Sequence, residues 1–237
     1  MQHTDAHRHA DQHPDAPQQP GAQGPGAQDP DAQAPESVGE FWDQRYSDRE
    51  TLWSGQPNAA LVSETRNLRP GRALDVGCGE GADALWLAAA GWAVTALDVS
   101  RVALQRAARQ AELAGSPSVR WLQTGLVEAA LPSGTFDLVS AQYPALLRTP
   151  GDDAERALLD AVAPGGVLLV VHHPAPTALE AAAHGFDAAL YVSPAQVAAL
   201  LNENWLIEVD ETRPRHVATG AGAHHTEDVV LRARRLR

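Results

Sequence analysis

The chain has 237 residues, a formal net charge of −12 and 44% hydrophobic residues. All 18 of its Lys+Arg residues are arginine, which excludes Schiff-base and lysine general-base chemistry. The acidic balance argues against gripping a phosphate backbone, and no apolar run is long enough to span a membrane.

Residues 1–36 are His, Asp, Gln, Ala, Pro and Gly with hardly a large apolar side chain. Such a segment cannot bury enough surface to offset its ordering entropy, so a disordered low-complexity tail is expected there. His3, His7, His9 and His13 fall in it without a fixed geometry for a metal. The start, Met1 to His7, lacks the basic and apolar regions of a secretory leader, which makes a cytoplasmic protein the expectation. Residues 37–237 are then the folded domain. Phe41-Trp42-Asp43-Gln44-Arg45-Tyr46 opens a short helix, residues 53–58 are a loop, and 59–66 a second helix. A strand over 73–76 leads through a glycine turn into a helix over 82–90, which Gly91 ends. A second strand follows at 93–97. Ser100 caps the next helix, where Leu104, Ala107, Ala108 and Ala111 share a face, and Gly115 and Pro117 stop it.

Strands are predicted at 119–123 and 136–141, and a helix at 153–162. Gly165-Gly166 turns into 167–171, a continuous apolar run suited to a strand buried on both faces. A helical insert over about 177–201 is broken near Gly185 and Pro194. Strands at 205–209 and 228–233 close the chain, and the arginines at 232, 234, 235 and 237 read as its solvated end. Strands alternating with helices through residue 171 imply an α/β fold: a doubly wound, mostly parallel sheet with right-handed crossovers.

The glycine turn carries the chemistry. Gly77-x-Gly79-x-x-Ala82 satisfies a dinucleotide fingerprint, with Asp98 nineteen residues past Gly79 as ribose ligand. Gly77-x-Gly79-x-Gly81 is the competing pattern. Asp75, two residues before the first glycine, separates them. A dinucleotide places a pyrophosphate at the helix N-terminus, and a carboxylate on that approach repels it. S-adenosylmethionine carries a sulfonium and an ammonium instead, for which a carboxylate is an asset. The lone cysteine, Cys78, reads as a small residue that fits the turn and has no disulfide partner.

Leu74-Asp75-Val76-Gly77-Cys78-Gly79-Glu80-Gly81, followed by Asp98, resembles the cofactor signature of class I S-adenosylmethionine-dependent methyltransferases. Phe41-Trp42-Asp43-x-x-Tyr46 and Trp53-Ser54-Gly55-x-Pro57-Asn58 are similar to the start of small-molecule members of the tellurite-resistance and thiopurine type. The resemblance implies a Rossmann-like seven-stranded sheet with its last strand antiparallel. It implies S-adenosylmethionine held by Trp53, Asp75, Gly77, Cys78, Gly79, Gly81, Asp98, Val99, Leu126 and Ala141. Tyr46 and Trp53 are then lid residues, or else aromatic packing of the first helix. One departure stands out: Gly125 occupies the position of an acid that accepts from the adenine amino group, which shifts that contact to Thr124 or Glu128 or weakens it.

Ligands in open α/β sheets sit beyond the carboxyl ends of the strands, which puts Ala141, Gln142 and Tyr143 at the transfer centre. The Asp/Asn-Pro-Pro-aromatic pattern of nucleic-acid amino methylation is absent there. His172 and His173 end the next strand, and either is a candidate general base or a strand-end residue bonded to backbone. With His224 and His225 they make four histidines whose spacing demands no metal. Tyr143 and His172 are the candidates for orienting or deprotonating the acceptor. The expected activity is in-line methyl transfer to a small molecule, with no nucleic-acid or membrane partner. The oligomeric state is open, with a monomer favoured. An NAD(P)-dependent oxidoreductase and a non-catalytic S-adenosylmethionine-binding protein are the alternatives.

Overall fold

A computed structural model of the protein describes residues 37–116, 118–175, 190–217, 219–220 and 223–237. The expected tail, Pro117 and most of the expected insert lie outside the described residues. Seven strands form one sheet: β1 (Arg72–Val76), β2 (Ala93–Asp98), β3 (Arg120–Gln123), β4 (Phe136–Gln142), β5 (Val162–His172), β6 (Trp205–Pro214) and β7 (Glu227–Arg235). Their order is β3-β2-β1-β4-β5-β7-β6. The pairs from β3 to β5 are parallel, and β7 runs antiparallel to both β5 and β6. This is the α/β sheet expected from the alternation of strands and helices, with its last strand reversed.

The helices are α1 (Val38–Ser47), α2 (Ala59–Thr65), α3 (Ala82–Ala89), α4 (Arg101–Leu113), α5 (Asp153–Ala161) and α6 (Pro194–Ala199). Successive strand residues serve opposite faces. Leu74, Val76, Val139, Ala141, Leu168 and Val170 meet α5 through Ala154, Leu158 and Ala161. Ala73, Leu138, Val167, Leu169 and Val171 meet α2 and α3 through Leu61, Ala84, Leu87 and Ala88. Val167 to Val171 are at most 2% exposed, so the unbroken apolar run is a strand covered on both faces. Each fully buried leucine here contributes about 1.5–3 kcal/mol of transfer free energy.

Several elements differ from expectation at their ends; β6, for one, runs to Pro214 rather than stopping at 209. β5 begins at Val162, not after the glycine pair. Val162 pairs with Phe136 and Val167 with Leu138, so residues 163–166 form a bulge inside the strand. α1 starts at Val38, where Ser37 caps it by accepting from the Glu40 N–H at 3.2 Å. Ser100 caps α4 as expected, accepting from the Ala103 N–H at 3.1 Å. The α1 side chain of Asp43 adds a second acceptor there, taking the Ser100 hydroxyl at 2.6 Å and the Val102 N–H at 3.0 Å. α1 is thereby docked on the N-terminus of α4, where an anion is favoured. Ser193 and Gln196 form a capping box on α6. Among the described residues, no helix is long and apolar enough to cross a membrane.

Candidate active site

The glycine turn is fastened to the neighbouring strand. The Gly77 and Cys78 N–H groups both donate to the Leu97 carbonyl, at 2.9 and 3.0 Å. The Gly79 N–H donates to Asp98 Oδ2 at 2.9 Å, and the Ser100 N–H to Asp98 Oδ1 at 2.8 Å. Gly79 has φ +52°, and a Cβ there would lie 2.8 Å from the Tyr46 hydroxyl. Glycine is required on both counts.

The segment after α1 is strapped over this turn. Tyr46 Oη accepts from Trp53 Nε1 at 2.9 Å. Glu80 accepts from the Trp53 N–H at 3.0 Å, from the Leu52 N–H at 3.2 Å and from Arg106 Nη1 at 2.9 Å. Arg106 also donates to the carbonyls of Tyr46 and Arg49, at 2.7 and 2.6 Å. One residue inside the glycine turn therefore holds the loop that covers it.

The turn opens on a cavity of about 900 Å³ at the carboxyl ends of β1, β2, β4 and β5. Three buried carboxylates line the end of the cavity next to the glycine turn: Asp75, Asp83 and Asp98. Asp83 accepts from the backbone and side-chain nitrogens of Asn58, at 2.7 and 2.8 Å. Asp75 is 2% exposed, and its Oδ2 has no hydrogen-bond partner. Burial pushes all three carboxyls upward, Asp75 well above the ordinary 3.8, with Asp83 and Asp98 adding repulsion. Val38, Trp42, Arg45 and Tyr46, one face of α1, close the wall. Arg45 Nε is buried there without a partner. An excess of negative charge with an orphaned carboxylate oxygen suits a cationic ligand and opposes a pyrophosphate.

The far end of the cavity is built from the ends of β4 and β5 and the chain around β7. Tyr143 follows β4 with φ +51°, a conformation that costs a non-glycine residue about 1–3 kcal/mol. Its N–H donates to the Val171 carbonyl at 2.8 Å. Its hydroxyl donates to Asp228 Oδ1 at 2.8 Å and accepts from Arg215 Nε at 3.1 Å. Arg215 Nε also lies 3.4 Å from Asp228 Oδ1. The His173 ring stacks between Tyr143 and His225, with centroids 4.4 and 3.6 Å away. Burial, then repulsion from His225 and Arg215, pushes His173 down to about 2, and burial also lowers His172. Both imidazoles are therefore neutral at physiological pH.

Of the residues expected at the cofactor, Trp53, Asp75, Gly77, Cys78, Gly79, Gly81, Asp98, Val99 and Leu126 line this one cavity, as do Tyr143 and His172. Ala141 does not. It is fully buried in the cluster shared with α5, one residue short of the end of β4 that opens on the cavity. Gln142 and Tyr143 take that place. At the expected adenine end, Thr124 and Gly125 line the cavity and Glu128 does not. The Glu128 carboxylate folds against Gly125, and a side chain at 125 would collide with it. Sequence reasoning missed Arg45, Asp83, Arg215 and Asp228. An acid in the first turn of α3 was a usable local signal for Asp83. Nothing local signals Asp228 or Arg215, which reach Tyr143 across 85 and 72 residues.

The sheet order, the reversed β7 and an acid-ended glycine turn define a class I methyltransferase fold. Residues 73–166 match the family described as "Methyltransferase domain". An uncharacterized methyltransferase of Mycobacterium tuberculosis is 38% identical over 104 residues, 44% of this chain and 51% of the relative. The chain thus spans about half the length of the curated relatives it matches. A solved structure concerned with converting a disulfide bond into a thioacetal group during echinomycin biosynthesis aligns with TM-score 0.66. It is 24% identical, over 84% of this chain and 92% of that one. The N-methyltransferase NodS of Bradyrhizobium japonicum aligns at 0.57 and 18% identity, over 83% and 97% of the two chains. At these identities the structures speak for the fold. The domain match covers residues 73–166, and over that segment the chain is similar to S-adenosylmethionine-dependent methyltransferases.

Proposed function

We propose that the protein transfers a methyl group from S-adenosylmethionine to a small-molecule acceptor. The observation that carries this reading is Asp75: a buried carboxylate with an unpartnered oxygen, beside two further buried acids, in a cavity lined by a glycine turn. Such a site favours a cation and disfavours the pyrophosphate of a nicotinamide dinucleotide. Asp75 and Asp83 would hold the ammonium end, and Arg45 the carboxylate end. Asp98 would take the ribose hydroxyls while keeping its bonds to Gly79 and Ser100. Gly77, Cys78, Gly79, Gly81 and Val99 would supply the close backbone path, and Thr124 and Leu126 the adenine contact. Trp53 and Tyr46 would cover the cofactor and exclude water.

When bound, S-adenosylmethionine supplies a methyl carbon on a sulfonium leaving group, open to in-line displacement. The protein's part is alignment and desolvation of the acceptor, which can lower such a barrier by about 7–11 kcal/mol. Tyr143 and His172 are the residues at the acceptor end. Calorimetric titration with S-adenosylhomocysteine and, in parallel, with NAD(H) tests the reading. Binding of the first and not the second is expected, and the reverse would refute it. Binding of the first without methyl transfer across thiol, amine, hydroxyl and oxyanion acceptors would favour a non-catalytic binding protein.

A further inference from the structure

We propose that Tyr143 and Asp228 form a proton relay that takes up the acceptor's proton, and that the acceptor is a neutral protic molecule such as a phenol, a thiol or an amine. This rests on the methyl-transfer reading above and goes beyond it by naming the acceptor class and the path of the proton. The argument starts from valences. The Tyr143 hydroxyl spends its proton on Asp228 Oδ1 and one lone pair on Arg215 Nε. One lone pair remains, so toward the cavity Tyr143 offers an acceptor and no donor. It is suited to an incoming X–H group and unsuited to an oxyanion.

Three further observations agree. The backbone at Tyr143 is held at φ +51°, and strain of this kind persists where the surrounding structure imposes an orientation. The Asp228 carboxylate has a counter-ion in the Arg215 guanidinium, 3.4 Å away. The groups facing Asp228 are Tyr143 from the end of β4, His173 from the end of β5, 4.0 Å away, and Arg215 and Arg213 from the β6 side. Burial raises the Asp228 carboxyl and the Tyr143 phenol. A raised carboxyl is the better proton acceptor, and a raised phenol passes a proton along without resting as phenolate.

The step balances. The X atom bonds the methyl carbon as the carbon–sulfur bond breaks and its electron pair leaves with sulfur. The proton of X moves to Tyr143 Oη while the phenolic proton moves to Asp228. Arg215 stabilises the oxygen between them. Tyr143 touches the acceptor and is the catalytic residue, and Asp228 acts through it.

The test uses the full chain with S-adenosylhomocysteine bound and chromogenic probes that report their own ionisation: 4-nitrophenol, 4-nitrothiophenol and 7-hydroxycoumarin. At a pH where a probe is neutral in solution, the wild-type complex is expected to bind at least one of them as its anion. In Asp228→Asn and Tyr143→Phe the ionised fraction is expected to fall about tenfold or more, one pKa unit of lost proton acceptance. Tyr143→Phe keeps the test alive if the Asp228 variant does not fold. Binding of none of the probes, binding of all of them as neutral molecules, or an anion band that persists in Asp228→Asn and vanishes in His172→Gln would overturn the relay. Loss of S-adenosylhomocysteine binding by the wild type would refute the methyl-transfer reading instead.

Discussion

Asp75 carries a proton-linked consequence. Its carboxyl titrates well above the ordinary 3.8, mainly because burial penalises the anion. An acid raised by folding stabilises the free protein below the unfolded pKa, and that contribution is lost as pH rises through the folded value. A bound ammonium beside Asp75 favours the anion and lowers its pKa. Binding of S-adenosylhomocysteine is therefore expected to release protons, and affinity to rise with pH from the ordinary carboxylate range upward. Calorimetry in buffers of different ionisation enthalpy reads the released protons directly, and net uptake would contradict the assignment. Arg45 is testable by subtraction. Arg45→Gln should weaken S-adenosylhomocysteine binding about tenfold, in line with a hydrogen-bonded charge. It should leave methylthioadenosine, which lacks the amino-acid end, unchanged. Asp98→Ala should weaken both ligands if, as proposed, its carboxylate takes the ribose they share. At Gly81, with φ +84°, an added Cβ would lie 2.7 Å from Ala107 Cβ and 2.9 Å from the Trp121 ring. Gly81→Ala should cost about 1–3 kcal/mol in urea denaturation, from strain and overpacking together.

At the scale of elements, α1 and the loop to residue 53 are held by two carboxylates, one from each side. Asp43 of α1 reaches the α4 N-terminus, and Glu80 of the glycine turn reaches back to the loop. Glu80 is mostly buried, with a side chain 11% exposed, and it satisfies two backbone N–H groups and Arg106 at once. Glu80→Ala leaves all three donors without their acceptor and is expected to cost about 2–3 kcal/mol. The Leu52 and Trp53 amides should then exchange faster in hydrogen-exchange measurements, and S-adenosylhomocysteine should dissociate faster. Unchanged exchange would mean that the Tyr46–Trp53 bond and the Arg106 bonds to the Tyr46 and Arg49 carbonyls hold the loop without Glu80. The other end of the cavity depends on β6 and β7, whose antiparallel pairing brings Arg215 and Asp228 to the end of β4. Glu64 of α2 anchors this pair by accepting from Arg213 at 2.7 Å and Arg232 at 3.4 Å.

For the whole molecule, removing residues 1–36 is expected to shift the melting temperature by no more than about 2 °C and to leave S-adenosylhomocysteine affinity unchanged. The reason is local: α1 has its own cap in Ser37 and its own anchor in Asp43. A larger loss would tie the tail to the domain. The strand and helix alternation, the apolar run through Val171, the glycine turn and the acids at 75 and 98 are all legible along the chain. These are readable because period-2 and period-3.6 patterns, caps and φ-demanding glycines act within a few residues along the chain. Long-range packing put Ala141 in the core and Tyr143, just past the end of β4, at the cavity. It also left Asp75 with an unpartnered oxygen, put Arg45 on the wall of the same cavity, and brought Tyr143 to Asp228 and Arg215. Those contacts join residues far apart in the chain, and their energetics come from shared burial, which no local pattern encodes.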